Sequence, residues 1–116
     1  MKYRHDFRVQ ASIERVAEFH RRSASMAAIT PPPILVKVQR APAVLANGDE
    51  MDFTMWLGPL PVRWLARIEA VSTAGFTDCQ ARGPFKKWIH RHIFVAVDYN
   101  TTDVVDEITL QLRPHP

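Results

Sequence analysis

Cysteine is nearly missing from this chain. The single residue, Cys79, excludes an internal disulfide and any zinc site built from several thiolates, and it fits a reducing compartment such as the cytoplasm. Long apolar runs are missing as well. No stretch approaches the ~20 residues that a membrane-spanning helix needs. The N-terminal Met1-Lys2-Tyr3-Arg4-His5-Asp6 places charges where a signal peptide carries its apolar stretch. Charge of one sign is in small excess: the net value is +3 and the pI 9.4, too little to argue for a nucleic-acid partner. Glycine is scarce, and Gly48, Gly58, Gly75 and Gly83 all fall in turn-like segments. Repeats, low-complexity tracts and linkers are absent.

What is present is the composition of a globular domain, 47% hydrophobic and 23% charged over 116 residues. A chain of this length makes one domain and can bury roughly two thirds of its unfolded surface without staples. Residues 2–9 alternate, with Tyr3, His5, Phe7 and Val9 on one side and Lys2, Arg4, Asp6 and Arg8 on the other, which predicts a half-buried strand. Ser12 supplies an N-cap. Ile13, Val16, Ala17 and Phe19 then predict a short helix whose Glu14, Arg15, Glu18 and Arg22 face solvent. A further helical turn over 23–29 ends at Pro31-Pro32-Pro33. From there the pattern is all strand, at about 34–40, 49–57, 62–71, 75–82, 87–98 and 103–112. The short connections between these strands force antiparallel neighbours.

The stretch Phe76-x-Asp78-x-Gln80-x-x-Gly83-Pro84-Phe85-x-x-Trp88-x-His90-x-His92-x-Phe94, followed by Asp106, resembles one branch of the START-like (SRPBCC) superfamily. That superfamily includes polyketide cyclases, lipid-transfer domains and the birch-pollen allergen type. Phe19, the Thr30-Pro31-Pro32 turn and Gly58-Pro59-Leu60-Pro61-x-x-Trp64 extend the resemblance over nearly the whole chain. It implies an α+β fold of the helix-grip type: a curved seven-strand antiparallel sheet, a short helical segment after the first strand, and an apolar cavity under a long C-terminal helix. The sequence stops at Arg113-Pro114-His115-Pro116, where that helix begins in the family. The expectation is therefore a single domain over 1–116 that lacks the helix, either truncated or covered by something else on its concave face.

The resemblance selects the even face of 87–98, which carries Trp88, His90, His92 and Phe94. A five-residue loop, Gly83 to Lys87, would set Gln80 opposite His90 and Asp78 opposite His92. A three-residue loop at Tyr99–Thr101 would set Asp106 opposite Phe94 and diagonal to His92. Asp78, Gln80, His90, His92 and Asp106 then form a polar belt, ringed by Trp64, Ile68, Trp88, Phe94, Ile108 and Leu110. Apolar walls with a few polar groups are what an orienting pocket needs, although a self-satisfied core network would use the same residues. His90 and His92 share a face and, with Asp78 or Asp106, have the makings of a two-histidine, one-carboxylate metal site. A histidine–aspartate hydrogen bond explains them equally well, and neither a metal nor another cofactor is expected. The basic run Lys86–His92 splits between two faces of its strand, so no nucleic-acid groove is expected. Cys79, on the opposite face, has no base beside it.

Three functions follow as expectations. The first is binding or carriage of a small apolar molecule (a lipid, a polyketide or an aromatic compound) by Trp64, Ile68, Gln80, Trp88, His90, His92, Phe94 and Ile108. The second is a polyketide cyclase or dehydratase-like enzyme in which His90 or His92 is the general acid or base, held by Asp78 or Asp106. The third is an oligomeric interaction module. A concave sheet carrying large apolar residues is expected to find a partner, most simply in a homodimer.

Overall fold

The alternating N-terminal octet forms strand β1 (Lys2–Val9), and the Ser12 hydroxyl caps the next helix by accepting from the Arg15 amide at 3.3 Å. Helix α1 (Ile13–Arg21) carries Glu14 in its first turn and His20 and Arg21 in its last, each charge type at the favourable end of the helix dipole. A 3₁₀ turn (Ser23–Ser25) and a single turn α2 (Met26–Ile29) follow. Six strands complete the chain: β2 (Leu35–Arg40), β3 (Glu50–Leu57), β4 (Leu60–Ser72), β5 (Gly75–Arg82), β6 (Lys87–Asp98) and β7 (Thr101–Gln111). The structure, a computed structural model, describes residues 1–29 and 34–114. The expected Pro31-Pro32-Pro33 terminator and the Thr30-Pro31-Pro32 turn lie outside the described residues, as do His115 and Pro116.

All seven strands join one antiparallel sheet in the order β1-β7-β6-β5-β4-β3-β2. The helical segment carries the chain from one edge of the sheet to the other, and the meander then returns to pair β7 with β1. This is the expected α+β helix-grip architecture, and no long helix follows β7 among the described residues. Bulges between Val38 and Arg40, Glu69 and Ser72, and Ala96 and Asp98 interrupt the ladders; such insertions bend and twist a sheet. Helix α1 sits against β6 and β7, burying Val16 and Ala17 with Phe94 and Val104. The fully buried Thr102 hydroxyl donates to the Ala11 carbonyl at 2.8 Å and ties β7 to the segment between β1 and α1.

Several expectations need correction. Phe19 is 45% exposed; the residue that completes the inner face of α1 is His20, at the i+7 position from Ile13. Strand β4 starts at Leu60, with only Gly58-Pro59 in the turn. Pro61 is tolerated inside the strand because β5 begins to pair only at Leu65. In β1, Tyr3 and Phe7 lie on the concave side, opposite Ile108 and Val104, yet are 54% and 41% exposed.

The register of both hairpins also differs from expectation. Asp78 faces His90 and Phe76 faces His92, with Cys79–Ile89 the last pair before the loop. The reason is Gln80, whose amide donates to the Phe85 carbonyl at 2.7 Å and accepts from its N–H at 3.1 Å, rounding off a longer loop. Between β6 and β7 the loop is two residues, Tyr99-Asn100, and the bulge between Ala96 and Asp98 shifts the ladder by one more, so Asp106 lies directly opposite His92. Both shifts are by two residues, so the parity of every side chain, and hence its face, is preserved.

Candidate functional site

Three adjacent strands deliver the polar belt. Asp78 comes from β5, His90 and His92 from β6, and Asp106 from β7, all on the concave face. Each imidazole lies between the two carboxylates. His92 Nε2 donates to Asp78 Oδ2 at 2.7 Å, and its Nδ1 is 3.4 Å from Asp106 Oδ1. His90 Nε2 donates to Asp106 Oδ1 at 2.9 Å, and its Nδ1 is 3.6 Å from Asp78 Oδ2. The two imidazoles stack with centroids 3.8 Å apart, and Phe76 stacks on the far side of His92 at 4.2 Å.

Backbone geometry helps to fix this arrangement. Gly75 has φ +135°, and a Cβ there would collide with the His92 carbonyl. The close approach of β5 to β6 beside His92 therefore requires glycine.

His92 is buried, while His90, Asp78 and Asp106 keep about a fifth to a quarter of their side-chain surface. Burial opposes charge on His92, but hydrogen bonds to Asp106 and Asp78 and the two nearby negative charges outweigh it and raise its pKa to about 9. Burial likewise pushes Asp106 up, and the bonds from His90 and His92 more than reverse this, holding the carboxyl well below its ordinary range. The histidine of α1 behaves oppositely. Burial lowers the pKa of His20, partly offset by its bond to the Val16 carbonyl, to which Nδ1 donates at 2.8 Å. Its ring is 4.7 Å from Phe94 and 6.3 Å from His92. A histidine biased towards the neutral form thus sits near one biased towards the cation, the kind of split that separates acid from base in a site.

The other expected site residues divide into three groups. Trp64, Ile68 and Phe94 are buried in the core. Trp88 and Ile108 are half-buried and border the belt, Ile108 directly opposite His90. Gln80 shares the face but spends both amide atoms on the Phe85 backbone, so it does not join the histidine–aspartate network. Trp64, Phe85 and Trp88 form a mutual aromatic cluster with centroids 5.0–5.6 Å apart. A recess of about 660 Å³ lies elsewhere, between α1 and the segment around Ala43 and Val44, and touches none of the belt. Sequence reasoning missed His20, which the 13-16-17-20 spacing signals, and Phe85, which carries no periodic signal because it lies in a loop.

No family model matches the sequence, and no curated protein matches it. Solved structures do match its fold. ZhuI aromatase/cyclase from Streptomyces sp. R1128 superposes with a TM-score of 0.80 at 16% identity, over 100% of this chain and 70% of that one. A START superfamily protein from Mycobacterium smegmatis gives 0.77 at 12% identity, over 99% and 80%. Norcoclaurine synthase from Thalictrum flavum, solved with dopamine and hydroxybenzaldehyde, gives 0.73 at 14% identity, over 98% and 70%. The chain thus has the START-like (SRPBCC) helix-grip fold. No helix is long and apolar enough to cross a membrane among the described residues.

Proposed function

We propose that the chain binds a small, largely apolar molecule, such as a lipid, a polyketide or an aromatic compound, on the concave face of its sheet. The observation that carries this reading is a half-buried, charge-paired histidine–aspartate belt set beside Trp88 and Ile108 on that face. Apolar surface supplies affinity there, and a few fixed polar groups supply direction. The fold shared with an aromatase/cyclase and a START superfamily protein supports the reading as analogy. In this role the chain is a single domain acting in the cytoplasm, and a homodimer would cover the exposed Tyr3 and Phe7. Native mass spectrometry of the purified protein tests both points: a retained small molecule and a dimer mass are expected. A ligand-free protein whose tryptophan fluorescence ignores a broad panel of lipids and aromatics would remove the binding reading.

A second reading is favoured by one specific observation: the His92 ring lies between the Asp78 and Asp106 carboxylates with His90 stacked on it. In a cyclase or dehydratase-like reaction, His92 would be the proton donor, held by Asp78 and Asp106, and His90 its partner on the same face. Turnover of a model polyketide that His92→Asn abolishes while leaving ligand binding in place is the expected result under this reading.

A further inference from the structure

Two imidazoles and a carboxylate converge more closely than a histidine–aspartate hydrogen bond requires. A single bond from His92 Nε2 would satisfy Asp78 Oδ2, yet His90 Nδ1 faces the same oxygen from 3.6 Å. One ligand atom from each of Asp78, His90 and His92 lies within 4.8 Å of the others. The second nitrogen of each ring is also engaged by a single carboxylate, Asp106, at 2.9 Å for His90 and 3.4 Å for His92. Metal-bound histidines are oriented in this way: one ring nitrogen on the ion, the other on a carboxylate that fixes the ring and raises its basicity.

We infer that Asp78 Oδ2, His90 Nδ1 and His92 Nε2 form a binding site for one divalent transition-metal ion, which displaces to solvent the proton that His92 Nε2 otherwise donates to Asp78, with Asp106 as the shared outer partner of both rings. This inference does not depend on the small-molecule reading.

The donor set defines the ion. Two imidazole nitrogens and one carboxylate suit zinc, iron(II), cobalt or nickel. They are wrong for calcium and magnesium, which prefer shells of oxygen, and the lack of a thiolate disfavours copper(I). Rigid surroundings favour the site, because Phe76 covers one face of His92 and Gly75 fixes the adjacent backbone. Partial exposure of His90 and Asp78 leaves the ion reachable from the concave face, and three protein ligands leave at least one position for water or a ligand atom.

The test is titration of the tag-free, chelator-stripped chain with zinc in competition with a metallochromic indicator, and with cobalt(II) followed by visible absorption. One equivalent of zinc and a cobalt d–d spectrum without thiolate charge transfer are expected. Asp78→Asn and His92→Gln should each abolish stoichiometric binding, and Asp106→Asn should weaken it about 10–100-fold. Cys79→Ser, on the opposite face of β5, should leave it unchanged. Should the belt variants fail to fold, hyperfine-shifted imidazole N–H resonances from two histidines in the cobalt-loaded wild-type protein carry the same decision. Absence of a one-equivalent site in the wild-type protein would overturn the proposal. So would binding that survives Asp78→Asn and His92→Gln in folded protein.

Discussion

His92 is 6% exposed, yet it is held as a cation between two carboxylates, so the stability of the metal-free protein depends on pH with a definite sign. Its pKa rises on folding from 6.5 to about 9. The folded state therefore holds a proton that the unfolded chain releases, and the stabilisation is complete below about pH 6.5 and lost as pH climbs through about 9. Asp106 acts at the other end. Its folded pKa lies below 3.8, so its contribution is present above that value and disappears on further acidification. Thermal unfolding in the presence of a chelator should show highest stability from this network between about pH 4 and pH 6.5, with a decline towards pH 9 that His92→Asn removes. The same substitution should cost about 1.5–3 kcal/mol near neutral pH, because it leaves Asp78 and Asp106 facing each other without the charged donor. A flat pH profile in the wild-type protein would show that the belt is not charge-paired.

At the scale of elements, Ser12 and Thr102 mark how the helix is attached to the sheet. Ser12→Ala should destabilise by about 0.5–2 kcal/mol through loss of the N-cap. Thr102→Val keeps the shape of a fully buried side chain but strands the Ala11 carbonyl, and denaturant unfolding should show a cost of about 1–3 kcal/mol. Equal, negligible effects from both would mean that α1 is held by its apolar face alone. Gly75→Ala tests the ladder itself. Its methyl group would meet the His92 carbonyl, so the variant must separate β5 from β6 there. Ring-current shifts of His92, now stacked on Phe76, should change with it.

Across the whole molecule, the open feature is the concave edge formed by β1 and β7, where Tyr3 and Phe7 stand exposed opposite Ile108 and Val104. Both side chains are already about half covered, so covering the rest contributes on the order of 1 kcal/mol each, a driving force for association across this edge. Sedimentation of the chain over a range of concentrations should show a dimer that Tyr3→Ser with Phe7→Ser shifts to monomer. A concentration-independent monomer would show that this edge is stable in water as it stands.

Strand positions and faces were legible in the sequence because alternation has a period of two and turn residues punctuate it: β5 and β6 begin and end where the pattern places them. The family resemblance selected which face of β6 is concave, and the belt side chains do share that face. Pairing partners were not legible. They depend on Gln80 reaching across its loop to Phe85, and on a shortened Tyr99-Asn100 loop combined with a bulge between Ala96 and Asp98; each shift totals two residues, keeps parity and so leaves no trace in the pattern. His20 enters the site only because α1 crosses the sheet at Phe94, a matter of packing between distant segments. Local periodicity decides which way a side chain points; only the tertiary structure decides what it meets there.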